Sequence, residues 1–571
     1  MSCGIHANSY ATIESARIIF SDGTMLDTAD QESRAKFKKI KPQIIESICE
    51  IRDRLNSSDE FKNLIIRKYS IKNTTGYGLN SFIDFDDPFD ILLHLMVGSE
   101  GTLGLITEAV FRTIPVKPFR ASSIIYFKCL RDACNAVPAL KAAGVPAIEL
   151  IDREALRSVQ EKSGIPGFIR DFDKEVTALL IDLEAETEEE LRQSVDKAQL
   201  AIEKFNLVRD FEITRDAKQI IEYWKIRKGV FPSVGGMRKQ GTVVIIEDIA
   251  VKMEQLTDAV LDLRELLDTS GYKEAVIYGH ALDGNLHFIF AQDFEDKNEL
   301  LKYENLIGRL TKLIVDKYNG SLKAEHGTGI NMAPFVKYEW GDELYNVMKE
   351  IKAVFDPRYL LNPGVLINFD PKAHLKGFKQ APAVDDIIDK CIECGFCEIN
   401  CLSTGYTLSA RQRIVVQREI KKLKHHENHT GKIRELQKAF RFSGDESCAG
   451  DGLCSTSCPV DIDTGVFIKK MRDDNNKDNT RAQWIAGKIA RNFQGTLKLV
   501  RNGLGMVGFF HRLFGTKIFK AITSAIHILS FRSIPQWHRF MPRAAGSRQV
   551  NEVHSDDTLK KVVYFPSCIS Q

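Results

Sequence analysis

Cys391-Ile392-Glu393-Cys394-Gly395-Phe396-Cys397-Glu398-Ile399-Asn400-Cys401 sets four cysteines in the spacing C-x2-C-x2-C-x3-C. A second run, Cys448, Cys454 and Cys458 with Pro459 directly after it, follows downstream. Spacing this tight folds thiolates around one inorganic core, and the last cysteine of each run ligates the cluster of the other. Structural zinc is the competing reading, but zinc favours two separated Cys or Cys/His pairs. The runs therefore predict an α-helical ferredoxin module over residues 386–470 that carries electrons one at a time. Asp451 stands where the second run should have its second cysteine. One 4Fe-4S cluster is assigned to Cys391, Cys394, Cys397 and Cys458. The other falls to Cys401, Cys448 and Cys454, as a 3Fe-4S cluster, as a four-iron cluster with an oxygen ligand, or as no cluster. Cys3, Cys49, Cys129 and Cys134 read as ordinary buried thiols.

The module sits inside a 571-residue chain, long enough for several domains. Its 79 basic and 77 acidic residues nearly cancel, so no global field points to nucleic acid. Clustered cysteines belong to a reducing compartment, where thiolates serve metals rather than disulfides. The expected location is cytoplasmic, with peripheral contact on the inner face of the cytoplasmic membrane as an extension. No apolar stretch reaches the roughly 18 residues needed to span a bilayer. The first 15 residues have neither a basic n-region nor an apolar h-region, so they do not read as a secretory signal.

Upstream of the cysteines, residues 11–30 read as strand, turn at Asp22-Gly23, and strand. Residues 31–68 read as a charged amphipathic helical pair. Two Gly-rich loops follow, Lys72-Asn73-Thr74-Thr75-Gly76-Tyr77-Gly78 and Val97-Gly98-Ser99-Glu100-Gly101-Thr102-Leu103-Gly104. Residues 120–370 alternate strand and helix patterns, with strands at 176–183 and 242–247 and helices at 187–204, 252–268 and 295–317. The fold class is α+β. Residues 371–385 read as a proline-bearing linker. Residues 480–545 are basic and apolar with helical spacing. A helical bundle packed on the ferredoxin module is the first reading for them, a helix lying in a bilayer interface the second. Residues 562–568 read as a strand.

Ala275-Val276-Ile277-Tyr278-Gly279-His280-Ala281-Leu282-Asp283-Gly284-Asn285-Leu286-His287-Phe288-Ile289-Phe290 holds two apolar runs around Asp-Gly, a strong hairpin signal. A two-residue turn at Asp283-Gly284 sets His280 opposite His287, with Cβ atoms about 5 Å apart. Two imidazoles so placed can share a divalent metal. Glu325, in Lys323-Ala324-Glu325-His326-Gly327, is the candidate third ligand. A His, His, carboxylate set with open positions suits a catalytic ion such as Zn. His326 then faces the same space as a base whose ordinary range suits proton transfer near neutrality.

At these residues the chain resembles a known family. The glycine loop Gly98–Gly104, Gly279-His280 with Asp283–His287, Glu325-His326-Gly327 and Asn362-Pro363-Gly364 look like FAD-linked oxidases of the vanillyl-alcohol-oxidase (VAO/PCMH) type, in the D-2-hydroxyacid dehydrogenase branch. The fused ferredoxin module resembles the large bacterial FAD and iron–sulfur D-lactate dehydrogenases. The resemblance implies a partial FAD-binding domain over 1–115, an FAD-linked oxidase C-terminal cap domain over 116–370, the ferredoxin module over 386–470, and a helical linker with the start of a cysteine-rich domain over 471–571.

It also implies roles. Asn73, Thr74, Gly98, Ser99, Gly101, Thr102, Ile106 and Asn362 become FAD contacts. His280, His287 and Glu325 become metal ligands, His326 the catalytic base and Arg227 the holder of a substrate carboxylate. Read without the resemblance, Arg227 is a surface salt bridge. The implied reaction is oxidation of a D-2-hydroxy acid, D-lactate first, to the 2-oxo acid, with electrons passing from FAD through the clusters to quinone or a cytochrome. The alternatives are D-2-hydroxyglutarate or glycolate oxidation, an sn-glycerol-3-phosphate-like reaction, or a non-catalytic electron-transfer subunit. Relatives carry a pyrophosphate-binding glycine loop ahead of the segment that opens this chain, and a second cysteine-rich domain after the one that closes it. The chain is expected to be a piece truncated at both ends, poor in FAD when expressed by itself.

Overall fold

The computed structural model describes residues 4–162, 165–425, 430–530 and 536–538. The expected strand at 562–568, Cys3 and the last residues of the 480–545 segment lie outside these. The chain divides into two compact units, Met1–Ile468 and Lys469–Gln571.

The first unit opens with a small antiparallel sheet, order β2-β1-β3, from β1 (Ile13–Ile19), β2 (Met25–Asp27) and β3 (Leu105–Phe111). Three helices follow β2, where the sequence suggested two: α1 (Gln31–Ile40), α2 (Pro42–Ser57) and α3 (Asp59–Lys68). Pro42 starts α2 at its first turn, where its missing N–H costs nothing, and the Ser58 side chain caps α3 at Phe61 N. α4 (Pro88–Met96) is almost wholly buried. β1, β2 and the four helices pack into one apolar core, which residues of 336–367 join, while β3 stays exposed. The cap segment is therefore not one packing unit, because its last stretch folds back onto the first domain.

The cap is a six-stranded antiparallel sheet, order β4-β6-β5-β8-β9-β7. Its strands are β4 (Phe119–Phe127), β5 (Ala147–Ile151), β6 (Thr177–Ala185), β7 (Val243–Ala250), β8 (Val276–His280) and β9 (Asn285–Gln292). Alternate residues feed two separate cores, so both faces are covered. One face packs against α5 (Leu130–Ala142), α7 (Glu188–Ile202), α9 (Leu256–Thr269) and α10 (Lys297–Lys312). The other packs against α6 (Arg153–Val159) and α8 (Ala217–Met237). α11 (Val336–Phe355) returns to the first core. The ferredoxin module adds α12 (Ala410–His425), α13 (Thr430–Phe440) and α14 (Thr464–Asn476) around the two cysteine loops.

In the second unit, α15 (Thr480–Arg491) and α16 (Phe493–Leu529, with a non-helical break at Gly515) show no buried residue. No helix among the described residues is long and apolar enough to cross a membrane.

The β8–β9 connection departs from the expected two-residue turn. Ala281–Asp283 form a 3-10 turn closed by Gly284 at φ 64°. His280 therefore pairs with Asn285, and His287 with Tyr278. A Cβ on Gly284 would lie 2.0 Å from the Val251 carbonyl oxygen, so the close approach itself demands glycine. The two histidines end up diagonal rather than opposed, but on the same face.

Candidate functional site

Four sheet residues line that face in a row across adjacent strands. Glu149 of β5 is the register partner of His280 on β8, and Asp248 of β7 is the partner of His287 on β9. The imidazole centroids of His280 and His287 are 5.2 Å apart, edge to face. Glu325 enters from the loop after β9 and α10. Its Oε1 lies 3.2 Å from Nε2 of both His280 and His287. The ligand atoms of these three residues lie within 4.8 Å of one another. The structure therefore brings together the three expected metal ligands.

The backing of this trio was not visible in the sequence. His280 Nδ1 donates to Glu149 Oε1 at 2.5 Å, which leaves Nε2 aimed at Glu325. Glu149 also accepts from Arg227 Nε at 2.8 Å. Burial alone would raise Glu149; the His280 hydrogen bond and the Arg227 charge reverse that and lower it. For His280, burial pushes down, and the hydrogen bonds to Glu149 and Glu325 win, so it is raised. His287 goes the other way, lowered mainly by burial. Glu325 is held far below the usual carboxylate range: burial opposes this, but both histidines and Lys72 overcome it. Lys72 Nζ sits 3.0 Å from Glu325 Oε2 and 3.2 Å from Asp283.

Asp248 anchors the Glu325 loop. Its Oδ2 accepts from the backbone N–H of Ala324, Glu325 and His326 at 2.9, 2.6 and 3.3 Å. Lys323 Nζ stands 3.0 Å from Asp248 and 3.0 Å from Glu247. His326 stacks on His287, centroids 4.8 Å apart and 13° between planes, with Nδ1 3.5 Å from Asp248 Oδ1. His326 also lines an open cavity with Phe231, Ile246, Lys323, Asn331 and His374. Asp248, His287 and His326 form a second set of ligand atoms within 4.8 Å. His287 Nδ1 is buried without a hydrogen bond among the described residues. The donor set, the orphaned nitrogen and the carboxylate behind His280 fit a divalent cation; a carboxylate that orients a ligating histidine is the usual outer support of such a site.

Arg227 is not the surface salt bridge its sequence context suggests. It lies on α8 against buried Glu149, with its guanidinium 4.2 Å above the Tyr278 ring. Glu149 and Asp248 were missed because one or two acids in an otherwise apolar strand leave the strand pattern intact. An acid set inside so apolar a run was the available signal.

The cysteines line two cavities. Cys391, Cys394, Cys397 and Cys458 surround the first, with Ile392, Pro459 and Val460. Cys401, Cys448 and Cys454 surround the second, with Asp451 and Arg413. The exchange of each run's last cysteine is therefore present in the fold. Each cavity gathers cysteines from both runs, the arrangement a two-cluster module requires. Burial raises the Cys391 and Cys397 thiols, the latter to about 12. Cys401 is lowered: burial opposes this, and Ser403 and the buried Arg413 outweigh it. Of the remaining cysteines, Cys134 is buried as expected, while Cys49 and Cys129 are half-buried.

The module docks on the cap through α8. Arg238, just after the helix, donates to the carbonyls of Asp389 and Cys391 at 3.0 Å each. Lys162 Nζ donates to the Pro459 carbonyl at 2.6 Å. These contacts fall on the lining of the first cavity, not the second.

Residues 117–366 match the family described as FAD linked oxidases, C-terminal domain, and residues 387–462 match the 4Fe-4S dicluster domain. Residues 117–366 are an FAD-linked oxidase C-terminal domain. The mitochondrial D-lactate dehydrogenase (cytochrome) of Kluyveromyces lactis is 26% identical over 53% of this chain and 50% of its own length. The D-2-hydroxyglutarate dehydrogenase of Stutzerimonas stutzeri is 29% identical, over 53% of this chain and 61% of its own. Glycolate oxidase subunit GlcD of Bacillus subtilis is 26% identical, over 49% and 58%. The chain thus spans half to three-fifths of the length of these curated relatives.

An FAD-linked oxidase domain calls for a flavin wall, and the expected contacts divide into two groups. Gly98 and Gly101, at φ 76° and 70°, have open space where a Cβ would stand. Ile106 lies on β3, whose residues are all exposed. These fit a flat cofactor. Ser99 and Thr102 are buried, their hydroxyls bonded to the carbonyls of Met96 and Ser99, so cofactor contact there is left to backbone. Asn73 is spent on Glu339 and Thr75 N. Thr74 Oγ1 accepts from Gly327 N at 3.2 Å, and Asn362 Nδ2 donates to the Glu100 carbonyl at 2.7 Å. Glu100, unnoticed in the sequence, ties the glycine loop to the site by accepting from Thr328 N at 2.7 Å and from Gly329 N.

Proposed function

We propose that this chain performs flavin- and iron–sulfur-dependent oxidation of a D-2-hydroxy acid, D-lactate foremost, to the 2-oxo acid. The observation that carries the reading is the convergence of His280, His287 and Glu325, backed by Glu149 and flanked by Arg227 and His326. A divalent cation such as Zn in this cradle supplies Lewis acidity toward a substrate hydroxyl. Bound FAD supplies a two-electron acceptor that 4Fe-4S clusters can empty singly.

The chain's own residues do the rest. Arg227 keeps Nε on Glu149 and offers the fork of its two Nη groups to a carboxylate. His326, oriented by Asp248 and open to the cavity, takes the hydroxyl proton. The docking of the first cysteine cavity on α8 makes it the entry for electrons and the second cavity their exit. The terminal acceptor in this reading is quinone or a cytochrome, and the setting is the inner face of the cytoplasmic membrane. Exposed Trp484, Phe509, Leu513 and Phe514 on α15 and α16 support peripheral contact there.

The test is a panel of D-2-hydroxy acids given to the chain reconstituted with FAD, iron, sulfide and Zn, scored by flavin bleaching. D-lactate should bleach fastest. Chelation should slow bleaching, and added divalent metal should restore it. Undiminished bleaching in chelated, metal-free protein sinks the metal role, and bleaching by none of the panel sinks the reaction. Flotation with anionic vesicles at low salt checks the membrane contact, and failure to float overturns it.

A further inference from the structure

The two cysteine loops share one backbone, and that shared geometry identifies what Asp451 does. In the first loop Glu393 has φ 60°, Cys394 follows, and Gly395 has φ 85°. A 3-10 turn, Phe396–Asn400, then leads to Cys401. In the second, Gly450 has φ 64°, Asp451 follows, and Gly452 has φ 78°. A 3-10 turn, Leu453–Ser457, leads to Cys458. The turn bonds match as well: Glu398 N donates to Gly395 O at 2.9 Å, and Ser455 N to Gly452 O at 3.0 Å. Asp451 is therefore the positional equivalent of Cys394. Both are exposed. Cys394 lines the cavity of Cys391, Cys397 and Cys458, and Asp451 lines that of Cys401, Cys448 and Cys454. Asp451 Oδ1 accepts from Leu453 N at 3.1 Å, which fixes the carboxylate in the loop.

We propose that Asp451 is the fourth ligand of the second cluster, an oxygen donor to one iron, and that this iron is exchangeable. The proposal rests on the iron–sulfur reading of the module and commits to the fate of one corner. A carboxylate is a harder, weaker partner for cluster iron than the three thiolates that hold the other corners. Its exposed position lets water or a competing ligand reach that corner. One-electron oxidation by ferricyanide then follows a balanced course. The [4Fe-4S]2+ cluster gives up one electron to ferricyanide and releases one Fe2+, leaving [3Fe-4S]+, while Asp451 returns to solvent. Reduction in the presence of Fe2+ reverses each step. The first cluster, with Cys394 at the same corner, keeps all its iron.

Iron counting and electron paramagnetic resonance on the anaerobic, reconstituted full chain test this. Wild type treated with ferricyanide should lose one iron per chain and develop a three-iron signal, reversed by dithionite with ferrous ion. Asp451→Cys should keep its iron under the same treatment. Asp451→Ala should be isolated with the three-iron signal already present. Equal iron loss in wild type and Asp451→Cys overturns the proposal, as does a complete second four-iron cluster in Asp451→Ala. An iron count that stays at a single four-iron cluster in wild type overturns it too. A preparation with no cluster spectrum at all fails the iron–sulfur reading instead, and circular dichroism of each variant separates that from misfolding.

Discussion

Gly235 on α8 and Ile392 between Cys391 and the rest of its loop stand so close that a Cβ built on Gly235 would lie 2.3 Å from Ile392 Cγ2. The next residue repeats the relationship, with Gly236 2.8 Å from Val460 Cγ1 by the same measure. Glycine, costly inside a helix, is here the condition for bringing a cluster loop onto the oxidase domain. Gly235→Val should force the module outward at a cost of about 1–3 kcal/mol. Stopped-flow should show flavin bleaching unchanged and cluster reduction slowed at least tenfold. Adding Ile392→Ala should restore part of the rate, because it vacates the space. Equal cluster reduction in wild type and Gly235→Val would falsify the docking role.

Glu149 holds His280 on one oxygen and Arg227 on the other. Glu149→Gln should weaken divalent metal binding by about 10–100-fold, the usual effect of losing such a support, and should raise KM for a carboxylate substrate as Arg227 loosens. Isothermal titration with Zn and steady-state kinetics read the two effects separately. Unchanged metal affinity shows that Glu149 does not orient His280.

Asn73 bridges Thr75 N and the buried Glu339. Burial raises the Glu339 carboxyl, and losing a donor deepens that penalty. Asn73→Ala should destabilise the first unit by about 1–3 kcal/mol, seen as a lower Tm with and without FAD. A variant with normal Tm and reduced flavin affinity restores Asn73 as a cofactor contact.

Asp152 caps α6 and accepts from Ile277 N, and burial lifts its carboxyl to about 7 despite those bonds and Arg264; Glu154 adds to the rise. An unfolded aspartate titrates near 3.9, so the folded chain holds this proton longer. Its stabilising contribution is complete below about pH 4 and is lost as pH rises to about 7. Urea midpoints of wild type should fall across that window relative to Asp152→Asn, which keeps the cap without the titration. Parallel pH curves for the two proteins contradict the assignment.

The ferredoxin half was readable because ligand spacing is a local property: Cys391 to Cys401 and Cys448 to Cys458 state their own loop geometry. The His280, His287 and Glu325 cluster was half readable. The Asp-Gly signal brought His280 and His287 to one face, but the turn is longer than two residues, because Gly284 must pass the Val251 carbonyl. Glu149 and Asp248 could not be found by spacing, since strand order makes them neighbours of the histidines, and Lys72 reaches the site from a loop of the first domain. Asn73, Ser99 and Thr102 were hard to read for the opposite reason. Polar residues near a glycine loop look like ligand contacts in the sequence, and only the fold shows that their side chains also serve protein partners.

α8 carries Arg227 in one half and Gly235 in the other, with Pro232 between them. Proline supplies no N–H to the turn before it and marks a joint in the helix. The last turn of this helix lies far upstream of the module in sequence, so a graft joined at 371–385 leaves its socket behind on the donor oxidase. A foreign oxidase that is to receive the module should therefore be given Gly235, Gly236 and Arg238 at the matching helix end.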